Sequence, residues 1–148
     1  MYLAFNDLSA MFVDRTGIKE ADHEYYIVCD RADIPQQRGV FMPLNEESGE
    51  LLKAIANGAI AVIWDRQREL PHYTPNHFPV FFTDDPIIAA GRLLQTYIQK
   101  LDGERIDKMK ITNFVLFNKE LLKENKQTYD IAVMLEKIRS SKKEEGGE

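Results

Sequence analysis

The sequence predicts an α/β domain: mostly parallel strands joined by crossover helices, in two or three layers. Three observations lead there. Residues 59–64 are a continuous apolar run rich in β-branched side chains, the mark of a strand covered on both faces. Before it, Leu51, Leu52, Ile55 and Ala56 fall at helical spacing and stop at Gly58, a residue that tolerates the positive φ of a helix end. After it, a second short apolar run, 79–82, passes through Thr83-Asp84-Asp85-Pro86 into an amphipathic helix over 86–101. An Asp followed by Pro starts a helix well, because the carboxylate accepts orphan amides and the proline has none to lose. Strand and helix alternating in this way imply parallel strands with right-handed crossovers.

The remaining elements follow in order. Residues 1–17 carry Phe5, Leu8, Met11 and Phe12 on one helical face, with Asn6 or Asp7 near the cap and Gly17 as the stop. Residues 19–24 read as a polar loop, and His23, between Asp22 and Glu24, as part of an exposed turn. Residues 25–29 (YYIVC) form a strand, and 39–42 a second one that Pro43 ends. Residues 45–49 are a tight polar connection, with Asn45 or Ser48 as caps for the helix that begins at Leu51. A proline-broken loop covers 66–78. The 86–101 helix turns Ile87, Ala90, Leu94 and Ile98 inward and Arg92, Gln95, Gln99 and Lys100 outward, and Asp102-Gly103 ends it. Residues 109–117 fit a strand or the start of a helix, since periodicity does not separate the two. Thr128 caps a helix carrying Ile131, Met134, Leu135 and Ile138, and 140–148 read as a flexible tail. The chain is thus expected to be one domain over 1–139, with a core at about 25–101 and an extension over 104–139.

Composition narrows the function classes. The chain has 148 residues, 44% hydrophobic and 29% charged, as expected of an ordinary globular domain. A net charge of -5 argues against a nucleic-acid partner. The single Cys29 permits no intrachain disulfide, and no stretch approaches a membrane span, so a cytoplasmic protein without membrane partners is expected.

The order of elements resembles the N-terminal domain of the Mur ligases, the ATP-dependent enzymes that add amino acids to UDP-N-acetylmuramoyl precursors of peptidoglycan. The resemblance rests on Cys29-Asp30-Arg31 after the first strand and on the strand Arg38-Gly39-Val40-Phe41-Met42-Pro43. It continues through Ala54-Ile55-Ala56-Asn57-Gly58-Ala59-Ile60-Ala61-Val62-Ile63 and Pro79-Val80-Phe81-Phe82-Thr83-Asp84-Asp85, about half the chain in all. It implies a small α/β domain that holds the uridine diphosphate end of the substrate. Asp30 stands where the family has a uracil-contacting Ser or Thr, Arg31 matches the motif arginine, and Asn45 lies in the counterpart of a uridine-contacting loop. That loop is shorter here, 45–49, and has no histidine. A ligase also needs the cradle Gly-x-x-Gly-Lys-Thr/Ser for ATP, and residues 113–119 at that place read NFVLFNK without glycine. The expectation is therefore a non-catalytic module for a UDP-sugar, with no catalytic residue, no metal and no cofactor. The alternative is an interaction scaffold that has lost its ligand and works through self-association or a protein partner.

Other residues have plainer readings. Asp84 and Asp85 suit one helix cap and one solvated carboxylate. Cys29 suits a small buried residue better than a nucleophile, and His72 and His77 suit a solvated loop better than a metal site. Arg31 stays open between a ligand phosphate and a structural partner among Asp30, Asp33 and Glu46.

Overall fold

In the computed structural model, residues 2–17, 23–101 and 111–117 are described. They form β1 (Leu3–Ala4), α1 (Phe5–Met11), β2 (Arg15–Thr16), β3 (Glu24–Tyr25), β4 (Ile27–Cys29), β5 (Gly39–Phe41), α2 (Leu51–Ala56), β6 (Ala59–Asp65), β7 (Val80–Thr83), α3 (Pro86–Leu101) and β8 (Asn113–Val115). The main sheet has the order β2-β7-β6-β5-β4-β8. β8, β4, β5, β6 and β7 run parallel, and only the edge strand β2 is antiparallel to its neighbour. β1 and β3 form a separate antiparallel pair. The fold is α/β with a mostly parallel sheet, as the sequence predicts. The C-terminal helix from Thr128, the tail and the Asp102-Gly103 stop lie outside the described residues.

Both sheet faces are covered, which explains the unbroken apolar run in β6. Ile63 joins Val40, Phe81 and Phe114 beneath α1 and α3, whereas Val62 and Trp64 join Phe41 and Val80 beneath α2. The layers are therefore three. At the start of β6 the register against β5 shifts, pairing Gly39 with Ala59 but Val40 with Ala61. The extra residue puts Ala59 and Ala61 on opposite faces. Gly58 has φ +114, and a Cβ there would lie 2.9 Å from the Gln36 carbonyl oxygen, so the turn into β6 requires glycine.

α3 begins where the sequence places it, and Asp85 caps it by accepting the amides of Ile87 and Ile88 at 3.1 and 3.2 Å. Its buried line is centred on Ala90, Leu93, Tyr97 and Leu101, with Ile87 and Leu94 at the half-buried margin, a rotation from the expected face. Tyr97 supplies the reason: its ring stacks on Phe114 and its hydroxyl accepts the Thr112 amide at 2.8 Å. The rotation turns Lys100 inward, where its Nζ pairs with Asp7 at 2.6 Å. Within the segment left open, Asn113–Val115 is a strand, paired in parallel with β4, and its Phe114 joins the core beneath α3.

Four local expectations need correction. Gly17 does not stop the first helix: α1 ends at Met11, and β2 lies between it and the glycine. The 25–29 strand divides at Tyr26: Glu24–Tyr25 pairs with β1, and Ile27–Cys29 enters the main sheet. Asn45 and Ser48 do not cap α2, whose N-cap is Glu50; they belong to a separate 3-10 turn, Glu46–Ser48. His23 is half-buried rather than exposed, set edge-on against Phe5 at 6.5 Å between centroids.

Candidate functional site

The chain lays β4, β5, β6 and β7 outward in one direction, then returns to place β8 on the far side of β4. That reversal is a topological switch point, and open α/β sheets bind ligands in the crevice outside the carboxyl ends of the strands at such a point. Here the two carboxyl ends are Cys29-Asp30-Arg31 and Val115-Leu116-Phe117, held side by side by the pairing of Cys29 with Val115. A crevice of about 60 Å³ opens between them, lined by Asp30, Arg31, Asn45, Glu47, Ser48 and Phe117. All three residues singled out from the sequence, Asp30, Arg31 and Asn45, therefore meet in one place.

Asp30 is buried, and both of its carboxylate oxygens accept the Phe117 amide, at 3.0 and 2.9 Å. An amide shared by both oxygens of a buried carboxyl group is well tied, and this one pins the end of β8 to the end of β4. Arg31 turns outward. Its Nε and Nη2 donate to the two oxygens of Asp33 at 3.0 and 2.8 Å, and its guanidinium lies 5.5 Å from the centre of the Phe117 ring. Asp33 is thus the structural partner among those open at Arg31. The hydrogen bond from Arg31 holds the Asp33 carboxyl below its ordinary range, and the same bond raises the arginine.

The third wall is the 45–49 loop. Buried Ser48 accepts the Leu44 amide on its Oγ at 3.1 Å, and its carbonyl accepts the Ala32 amide at 2.7 Å. Gly49 follows at φ +93, packed so closely on Ala32 that an added Cβ would lie 3.0 Å from that methyl. Asn57 at the end of α2 donates from Nδ2 to the Ala32 carbonyl at 2.7 Å, and Gln36 donates from Nε2 to the Arg31 carbonyl at 2.8 Å. The turn bearing Arg31 is therefore fixed from three sides. Glu47 and Phe117 escaped sequence reasoning, whereas Asp33 is one of the partners open at Arg31 and Ser48 reads as a helix cap.

Cys29, Asp84 and Asp85 take their plainer readings. Cys29 is buried, its Sγ donates to the Arg31 carbonyl at 3.3 Å, and burial pushes its thiol up to about 11. A thiol held neutral in this way is a poor nucleophile. Asp85 is the cap, and Asp84 is solvent-exposed, paired with Arg66 at 2.9 Å. His72 lies in the exposed loop beside Glu69, and no group of three metal-ligating side chains is assembled among the described residues. Residues 113–115 are a strand, not a phosphate-cradling loop, so this segment supplies no ATP site.

A second concavity lies at the other end of the same carboxyl edge, beside β7. It is a groove of about 630 Å³ between the end of α1 and the start of α3. Its floor is apolar, from Phe12, Phe82 and Ala89, and its rim carries Asp14, Arg66 and Arg92. Among the described residues no helix is long and apolar enough to cross a membrane. The sequence matches no protein-family model and no curated protein.

Proposed function

We propose that this chain is a non-catalytic binding module, resembling the N-terminal domain of the Mur ligases, that holds the phosphate end of a UDP-sugar or UDP-N-acetylmuramoyl peptide at the β4–β8 crevice. One observation carries the reading: Asp30, Arg31 and Asn45, singled out from the sequence, line a single crevice at the switch point of the sheet. The roles divide by burial. Asp30 positions the wall by tying down Phe117; Arg31 offers a planar fork suited to a phosphate or carboxylate; Asn45 offers a side-chain amide. A volume of about 60 Å³ admits a few waters or one anionic group but not a nucleoside. The nucleoside therefore lies along the carboxyl edge, and the phosphate displaces Asp33 from the arginine.

Calorimetry with UDP and a UDP-N-acetylmuramoyl peptide tests this. Heat of binding at micromolar to millimolar ligand, abolished by Arg31→Ala, is expected; no heat, or heat unchanged by that substitution, removes the reading. One observation favours the second reading, an interaction scaffold without a small ligand. The fork of Arg31 is already filled by Asp33, and Asp30 and Glu47 add negative charge beside it. Under that reading neither nucleotide binds.

A further inference from the structure

We propose that the groove beside β7 is a self-association surface whose occupant is the same region of a second copy of this chain. This face lies away from the β4–β8 crevice, and the inference holds whether or not the crevice takes a nucleotide.

Val13 is 85% exposed at the groove's margin, and Ile88 on α3 is 54% exposed beside it. Both flank an apolar floor with about 630 Å³ of open space. An apolar knob next to an apolar hole on one patch is what a two-fold interface needs, since each copy then offers the knob that fills the other's hole. Exposed apolar side chains gathered around a concavity, unlike scattered ones, mark an interaction site.

Asp14 and Asp84 hold Arg66 between them, at 2.6 and 2.9 Å. Arg92, exposed one turn beyond Ile88, has no ion-pair partner among the described residues, and the Asp84 side chain is 82% exposed. Among the described residues, the patch thus joins a cation without an ion-pair partner to a carboxylate that stays largely exposed while it pairs with Arg66. Apposed about a two-fold axis, such a patch pairs opposite signs twice, whereas a patch of one sign repels its copy.

β2, only Arg15–Thr16, is the outermost strand on this side of the sheet, and among the described residues nothing pairs with its outer edge. Val13 and Asp14 lead directly into it. An open strand edge continuous with the groove adds backbone groups that a second chain can meet.

Sedimentation equilibrium of the full chain tests the proposal, with Val13→Asp, Ile88→Glu and, on the opposite layer, Leu52→Asp as a control. Leu52 is 55% exposed on α2 and lies outside the groove. The average mass of the wild type should rise toward twice the monomer between about 10 µM and 1 mM, the range of a weak interface. Val13→Asp and Ile88→Glu should each weaken association at least tenfold while the far-ultraviolet spectrum stays unchanged, and Leu52→Asp should leave association as in the wild type. A wild type that remains monomeric at 1 mM overturns the proposal and leaves the groove to a different protein or a small ligand. Association untouched by both groove substitutions, or weakened equally by Leu52→Asp, overturns it as well.

Discussion

The two concavities on the carboxyl edge of the sheet are built in opposite ways. At the β4–β8 crevice the surrounding polar groups are drawn into the protein: Asp30 onto the Phe117 amide, Ser48 onto the Leu44 amide, Gln36 and Asn57 onto carbonyls of the Arg31 turn. The result is small and rigid. At the groove beside β7, the apolar side chains of Val13 and Ile88 remain exposed around a space some ten times larger. A tight polar crevice suits one small charged group, and an open apolar groove suits a surface. The two ends of one sheet edge thus differ in where their polar groups are spent.

The comparison predicts a gradient of effects, steepest where β8 meets β4. Phe114→Ala removes a fully buried ring stacked on Tyr97, and should destabilise the fold by about 3–5 kcal/mol in urea denaturation. It should also abolish the crevice. A groove substitution such as Val13→Asp should change stability by less than about 0.5 kcal/mol. Next in size, Gly58→Ala forces a side chain at φ +114 against the Gln36 carbonyl and should cost about 1–3 kcal/mol. Asp30→Ala leaves the Phe117 amide without its carboxylate and should cost about 1–3 kcal/mol by the same measurement. In hydrogen exchange, the Phe117 amide should lose protection before the strand amides of β6 do.

Smaller effects separate reactivity from position. Cys29 should resist iodoacetamide at pH 8.5 in the folded chain and react once urea unfolds it, because burial holds its thiol near 11. Rapid labelling of the native protein would contradict the closed geometry of this end. The gentlest test concerns Asp33, whose folded carboxyl lies below its ordinary range. Its bridge to Arg31 is fully present above the unfolded value of about 3.9 and fades as pH falls through the lowered folded value. A carbonyl-carbon titration should find its midpoint below about 3.9, and Arg31→Ala should move it back upward. An unshifted midpoint in the wild type would show that the bridge does not form in solution.

Local chemistry made much of this fold legible. Asp85-Pro86 marks the start of α3 and Gly58 marks the turn into β6, because each residue answers a backbone requirement within a few positions. The continuous apolar character of β6 announced two covered faces, and both are present. What stayed hidden depends on distance along the chain. β2 is two polar residues with no pattern of their own, and it exists because β7 offers an edge. The rotation of α3 follows from Tyr97 meeting Phe114 and Thr112, neither of which is near it in sequence. Asp30 could be picked out as the residue after a strand, yet its partner Phe117 is 87 positions away. A cap signal at Asn45 and Ser48 was real but served a 3-10 turn instead of α2, since Gly49 and Glu50 intervene.

The most direct test of the account maps UDP onto the molecule by amide chemical shifts in a titration of the uniformly labelled chain. The account predicts saturable shifts at Arg31, Asn45 and Phe117, with Val13 and Ile88 unmoved. Shifts confined to the β7 groove, or none at millimolar nucleotide, would contradict it.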